Sequence, residues 1–379
     1  MKIAIYVSDA KYPPEGDDIV SGHVQVPLKT AELLLKHGHE VTIITTEAPP
    51  DYRIPPIISF DGLEIETVRK IKSDSVDLLK VSTHFYDLRN VIRQKDFDLL
   101  HFFGVNKTAY LLGLIKASRI RTKALVTLIN YVRPNNRIKS FIEQKLFDYI
   151  DHFLVLTEYT KESLMNSGFE RVSVTFPGVL KQRACNKIHS IKVRPEATDL
   201  VLFWRTASLD NGVDVCIEMF KKLSHQFELA DFVFAVRAQH QFKAQFSELV
   251  RKYKNIHLFQ HPYQEGVTIL GLLNCASCVV LPFRKLSMNP QLTVLETLLM
   301  GAPLVTTPVE SNRELIRDRE AVYFVEPSNV RQTYLAVKYL LENKAQARKM
   351  GEKAKSEVAK KWNWQVYEKK LIDVYERFA

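Results

Sequence analysis

The sequence predicts an α/β protein made of two doubly wound domains that face each other across a cleft. Short, β-branched apolar runs alternate with amphipathic helical stretches along both halves of the chain, the pattern of parallel strands joined by right-handed helical crossovers. Many of these runs are apolar on both faces, so helices are expected to cover each sheet on both sides. The chain has 379 residues, 46% of them hydrophobic and 25% charged, whereas a single core stops growing near ~250 to 300 residues. Two cores are therefore expected.

In the first half, strands are expected at 2–7, 40–45, 63–68, 98–103, 124–129, 152–156 and 172–176. Between the first two, Leu28, Ala31, Leu34 and Leu35 make an apolar helical stripe that Gly38 ends. After Pro177, Gly178 and Val179 the pattern loosens into a polar, basic stretch, 181–199, read as a linker. The alternation then restarts with strands at 199–203, 232–236, 255–259, 278–281, 304–307 and 322–325. From about 329 onward the chain is helical and Lys-rich, with Trp362 and Trp364 marking a break. The domains are accordingly placed at 1–180 and 195–362, with a final helix at 363–379 that packs back on the first domain. Ligands are expected at the carboxyl ends of the strands.

The stretch 288–316 is the most informative. Residues 287–290 form a polar turn, 291–300 are helix-patterned with one carboxylate at Glu296, and Gly301 followed by Pro303 stops the helix before a strand at 304–307. A helix starting beside the carboxyl end of a parallel strand offers unpaired N–H groups and the positive end of its dipole to an anion. Pro290 suits the first turn, where a missing N–H costs nothing. An ordinary αβ unit is the plainer reading, because such units outnumber phosphate sites.

Composition excludes several classes. The four cysteines, Cys185, Cys216, Cys275 and Cys278, are few and scattered, which suits a reducing compartment. Cys275 and Cys278 have redox or zinc spacing but no second pair, so they read as structural thiols. The opening strand is followed at once by Asp9, Lys11 and Pro13, unlike a signal peptide. No run approaches the ~18 apolar residues of a membrane span. The expected location is cytoplasmic, at most peripheral to a membrane. There is no Walker loop and no GxGxxG after the first strand, which argues against an ATPase or a dehydrogenase. The net charge of +10 calls for an anionic partner; nucleic acid is disfavoured because no recognised module is present.

Five segments carry a resemblance in chain order. They are SGHVQVPLKTAELLLKHGHEVTIIT, DFDLLHFFG, YIDHFLVLTEYTKESLMNSGFERVSVTFPGV, VLFWRTASLDNGVDVCIEMFKKL and the stretch 288–316. Together they resemble the retaining glycosyltransferases of the GT-B fold, family 4, over nearly the whole chain. That resemblance implies two Rossmann-like domains and transfer of a sugar from a nucleotide-diphosphate donor to an acceptor hydroxyl, in glycan, glycolipid or polysaccharide synthesis. It implies no cofactor, the nucleotide sugar being a co-substrate, and no metal.

Residue by residue, the resemblance makes Arg205 the guanidinium that grips the diphosphate, a bidentate partner for phosphate oxygens. Glu296 receives the ribose hydroxyls, and the N–H groups of Gln291, Leu292 and Thr293 meet the phosphates. Gly22 lets backbone approach the donor phosphate or acceptor, and His101 is the histidine of the family's histidine motif. Arg205, His101 and Glu296 are thus the candidate catalytic residues. The donor-binding set is Gly22, Arg205, Asn211, Met288, Gln291, Leu292, Thr293 and Glu296. Three positions depart from the family pattern. Met288 replaces a carboxylate that contacts the donor sugar, which implies a different sugar contact or a weakened site. Asn211 replaces a lysine, removing a charge-assisted contact worth roughly 1.5 to 3 kcal/mol; Arg237 or Arg284 is the available substitute. Phe103 stands where many relatives carry a second histidine.

Residues 116–145 hold KASRIRTK and VRPNNRIKSFIEQK, basic residues interleaved with Ile, Val and Phe. Such a surface suits anionic lipid or a lipid-linked acceptor; a solvated basic loop and helix is the other reading. The acceptor is expected to be a carbohydrate or lipid-linked. A catalytically silent GT-B scaffold, motivated by Met288 and Asn211, is the competing function, and an epimerase or phosphorylase of the same fold a third.

Overall fold

The computed structural model describes residues 1–11, 22–50, 52, 62–70, 78–179, 193–237, 240–261, 263, 267–316 and 320–378. Most of the expected linker, with Cys185, and the loop before Gly22 lie outside the described residues. The chain divides into two compact units, Met1–Arg183 with Asn363–Ala379, and Ala184–Trp362.

In the first unit the elements run β1 (Lys2–Tyr6), α1 (Gly22–Lys36), β2 (Glu40–Thr46), β3 (Leu63–Val68), α2 (Leu78–Lys95), β4 (Leu99–Gly104), α3 (Asn106–Ala117), β5 (Lys123–Leu128), α4 (Arg137–Phe147), β6 (His152–Val155), α5 (Glu158–Met165) and β7 (Val172–Val174). The strands form one parallel sheet in the order β3-β2-β1-β4-β5-β6-β7. The central strands are buried almost throughout, which is why they read as continuous apolar runs. Edge strand β3 is buried only at Val68, and its Glu64 and Glu66 pair with Lys95. The Leu28, Ala31 and Leu34 stripe of α1 is fully buried against this sheet.

The second unit repeats the plan with β8 (Asp199–Trp204), α6 (Val213–Ser224), β9 (Ala230–Arg237), α7 (Lys243–Lys252), β10 (Ile256–His261), α8 (Ile269–Cys275), β11 (Cys278–Leu281), α9 (Leu292–Met300), β12 (Leu304–Thr306), α10 (Asn312–Leu315), β13 (Tyr323–Phe324), α11 (Val330–Glu342) and α12 (Lys344–Lys361). Its parallel sheet is ordered β10-β9-β8-β11-β12-β13. Strand β9 runs one residue past the expected end, so Arg237 is its last member. Cys278 lies fully buried in β11, where burial pushes its thiol well up, as it does for Cys216; both behave as core residues.

The last helix, α13 (Trp364–Tyr375), belongs to the first unit. Asn363 starts it by accepting a hydrogen bond from the Val366 N–H at 2.9 Å, an N-cap worth ~1 kcal/mol. Tyr367, Leu371, Val374 and Tyr375 are buried in the core of that unit, and burying a side chain the size of Leu371 or Val374 contributes roughly 1.5 to 3 kcal/mol.

Candidate active site

The site of the second unit is assembled from the ends of β8 and β9 and the start of α9. Arg205 follows β8 directly and is half-buried. Its Nη2 donates to Ser287 Oγ at 2.8 Å. The Gln291 amide is best satisfied with its oxygen toward Arg205, accepting from Nε at 3.3 Å and Nη2 at 3.0 Å. Two neutral acceptors therefore aim the guanidinium, and among the described residues it makes no ion pair. Burial, then the charge of Arg237, lowers its pKa to about 10, against the pull of Glu296.

Gln291 is the N-cap of α9, and the first-turn N–H groups that follow, at Leu292 and Thr293, have no acceptor within the helix. Gly301 ends the helix in the left-handed conformation at φ 76°. Glu296 sits one turn in, partly exposed. The turn leading into α9 is held from below. Asn289, fully buried, donates to Glu310 Oε2 at 2.8 Å and accepts from Ser311 N–H at 3.2 Å, while Leu286 N–H donates to Glu310 Oε1 at 3.0 Å. Met288 is 6% exposed and so belongs to the packed side of this turn.

The loop from Arg205 to Gly212 is equally fixed. Gly212 has φ 74°, and a Cβ there would lie 2.1 Å from the Pro282 carbonyl oxygen, so only glycine permits this approach. Asn211 is turned inward and donates to the Thr206 carbonyl at 2.8 Å. Its side chain braces the loop. Arg284, one of the two substitutes named for the missing lysine, is committed elsewhere: it makes a bidentate pair with Asp214 at 2.7 Å on both arms and also donates to the Leu209 carbonyl and, at 2.6 Å, to Ser328. Arg237 is exposed at the end of β9. Lys285 is exposed as well.

The structure thus brings Arg205, Gln291, Leu292, Thr293 and Glu296 together. Gly22 lies in the first unit as the opening residue of α1. His101 is a correction. It is 0% exposed in mid-β4, with Nδ1 2.6 Å from the Tyr375 hydroxyl and Nε2 2.6 Å from the Thr127 hydroxyl. Its ring packs on Phe103 with centroids 4.0 Å apart, and burial lowers its pKa to about 3. Both nitrogens serve the fold, so no ligand reaches them. Sequence reasoning missed Ser287, Asn289 and Glu310, because Glu310 supports the turn from more than twenty residues away and carries no local signal.

Residues 20–183 match the family model described as Glycosyltransferase Family 4, and residues 186–357 match Glycosyl transferases group 1. The chain belongs to the family 4 glycosyltransferases. Solved structures share the fold of this glycosyltransferase over its whole length. A glycosyltransferase from Rickettsia africae has 17% identity and a TM-score of 0.74, covering 100% of this chain and 98% of that one. Sucrose-phosphate synthase from Thermosynechococcus elongatus has 14% identity and a TM-score of 0.75, with 99% and 98% coverage. Anabaena HepE in complex with UDP-glucose has 10% identity and a TM-score of 0.72, with 99% and 100% coverage. No curated protein matches the sequence.

Proposed function

We propose that this glycosyltransferase takes a sugar from a nucleoside diphosphate sugar and passes it, with retained configuration, to an acceptor hydroxyl. The observation that carries the reading is Arg205, a half-buried cation aimed by two neutral groups and set beside a helix start. Such a group is an anion receptor in waiting, since its charge is not cancelled by a neighbouring carboxylate in direct contact. As the bond from the anomeric carbon to the diphosphate breaks, negative charge grows on the leaving oxygen and positive charge on the sugar. Arg205 and the N–H groups of Leu292 and Thr293 stabilise the leaving group without a metal ion, and Glu296 receives the ribose hydroxyls. HepE, which binds UDP-glucose, supports the choice of donor class. A thermal-shift panel of nucleotide sugars and nucleoside diphosphates tests the reading: at least one is expected to raise the melting temperature. No shift at millimolar concentration with any of them removes the proposal. Met288 in the packed turn favours a silent, donor-binding protein as the second reading; hydrolysis or transfer of the bound donor by the purified protein excludes it.

The acceptor side is proposed to rest on anionic lipid. Helix α4 turns Ile138, Phe141 and Ile142 to solvent at 74%, 60% and 51% exposure, which is unusual for three large apolar side chains within two turns. Arg133, Arg137, Lys139 and Lys145 are exposed around them. The only acidic residue between 133 and 147, Glu143, is buried, accepting from Tyr110 at 2.6 Å, Tyr131 at 2.6 Å and Asn106 at 2.9 Å. The outward face is left apolar and basic, the composition of an interfacial helix. Among the described residues no helix is long and apolar enough to cross a membrane. The protein is expected to co-sediment with phosphatidylglycerol-containing vesicles and several-fold less in an Ile138→Asp, Phe141→Asp variant. Equal binding to pure phosphatidylcholine, or none to either, rejects the lipid surface.

A further inference from the structure

Arg205 alone is a sparse match for a diphosphate, which carries several negative charges. We propose that Arg237 supplies the second cation of the donor site, gripping the diphosphate from the neighbouring strand. The assignment rests on the donor reading above.

The strand register places the two residues together. Trp204 pairs with Ala235 across β8 and β9, so Arg205 and Arg237 leave adjacent parallel strands within one residue of the same level. Both stand at the carboxyl end of the sheet, the side where open α/β sheets bind ligands. Arg237 is itself the last strand residue, paired in register with His261 of β10, and its backbone is therefore anchored while its side chain is exposed. Among the described residues it makes no ion pair.

The charges agree with the geometry. Arg237 is close enough to depress the pKa of Arg205 by repulsion. Two guanidinium groups held near one another cost the unliganded protein free energy, and a multivalent anion between them relieves that cost. The other substitute named for the missing lysine is committed elsewhere. Arg284 is locked on both arms by Asp214. Position 211 holds a neutral amide that braces its own loop. Among the described residues Arg237 makes no ion pair and stands at the carboxyl end of the sheet, and its guanidinium can offer two parallel N–H groups to phosphate oxygens.

The test compares the unaltered protein with Arg237→Gln, Arg237→Lys and Lys285→Ala by calorimetric titration with UDP, GDP and ADP, using uridine, guanosine and adenosine as diphosphate-free controls. Arg237→Gln is expected to weaken the preferred nucleoside diphosphate at least tenfold and leave its nucleoside unchanged. It is also expected to flatten the salt dependence of binding, with Arg237→Lys partly restoring both and Lys285→Ala changing neither. Because Arg237 is exposed, the ligand-free melting temperature is expected to stay within a few degrees. Diphosphate binding by Arg237→Gln as tight as that of the unaltered protein overturns the assignment, as does an equal loss for the nucleoside. If the unaltered protein binds none of the three diphosphates, the donor reading itself falls and this assignment with it.

Discussion

In an Arg205→Ala variant, the rise in melting temperature that a nucleoside diphosphate gives the unaltered protein is expected to disappear. A ligand that binds only the native state stabilises it by about 2.7 kcal/mol at a hundred times its dissociation constant. Charge-assisted hydrogen bonds contribute roughly 1.5 to 3 kcal/mol each, so losing a two-pronged guanidinium weakens binding by roughly a hundredfold or more. At that affinity the same ligand concentration gives almost no shift. The ligand-free variant separates this outcome from damage to the fold. Arg205 is a half-buried cation held by Ser287 and Gln291 and repelled by Arg237, and removing it frees two neutral hydrogen-bonding groups that can turn to water and leaves the partly exposed Glu296 without its attraction. Its ligand-free melting temperature is expected to hold or rise. Arg205→Lys keeps the charge but loses the fork, and an intermediate shift is expected. A full shift retained by Arg205→Ala takes the residue out of the phosphate site.

A second large effect concerns pH. His101 has a folded pKa of about 3 against an ordinary 6.5, because burial disfavours the imidazolium. The unfolded chain therefore binds a proton well before the folded one as pH falls. Stability from this group is complete above about pH 6.5 and is lost progressively toward pH 3, and between pH 7 and pH 5 the loss is about 2 kcal/mol. His152 adds to the same slope, its pKa lowered to about 4 by burial and by Arg377 and Arg171. Denaturant unfolding of His101→Gln at pH 7 and pH 5 checks this. The variant is expected to be less stable at pH 7, yet its stability is expected to fall by about 2 kcal/mol less over the interval. An unchanged slope means that His101 is free to protonate in the folded protein.

Much of the fold was legible because parallel strands buried on both faces leave uninterrupted apolar runs. β3 at Leu63–Val68 and β11 at Cys278–Leu281 fall where the residue pattern puts them, and Gly301 stops α9 as its sequence context requires. The proposed donor site could be read from the sequence only as candidates. Arg205 and Glu296 were marked by their positions after a strand and inside a helix start, which are local signals. Partnership is not a local signal. Asp214 captures Arg284 across seventy residues, and nothing near Arg284 announces it. His101 was misread for the same reason: a histidine in an apolar strand looks the same whether its partner is a substrate or Tyr375, more than 270 residues later.

That distant tyrosine has a consequence in time. Because α13 follows the whole second unit in the chain yet completes the core of the first, the second unit is an insertion in the chain path of the first. During synthesis, 192 residues separate Arg183 from Tyr375, and at about 5 to 20 residues per second the ribosome takes roughly ten to forty seconds to make them. Throughout that interval the first sheet waits with the groove for Tyr367, Leu371 and Val374 uncovered and His101 without its hydroxyl partner. The unit that is translated first is therefore sealed last.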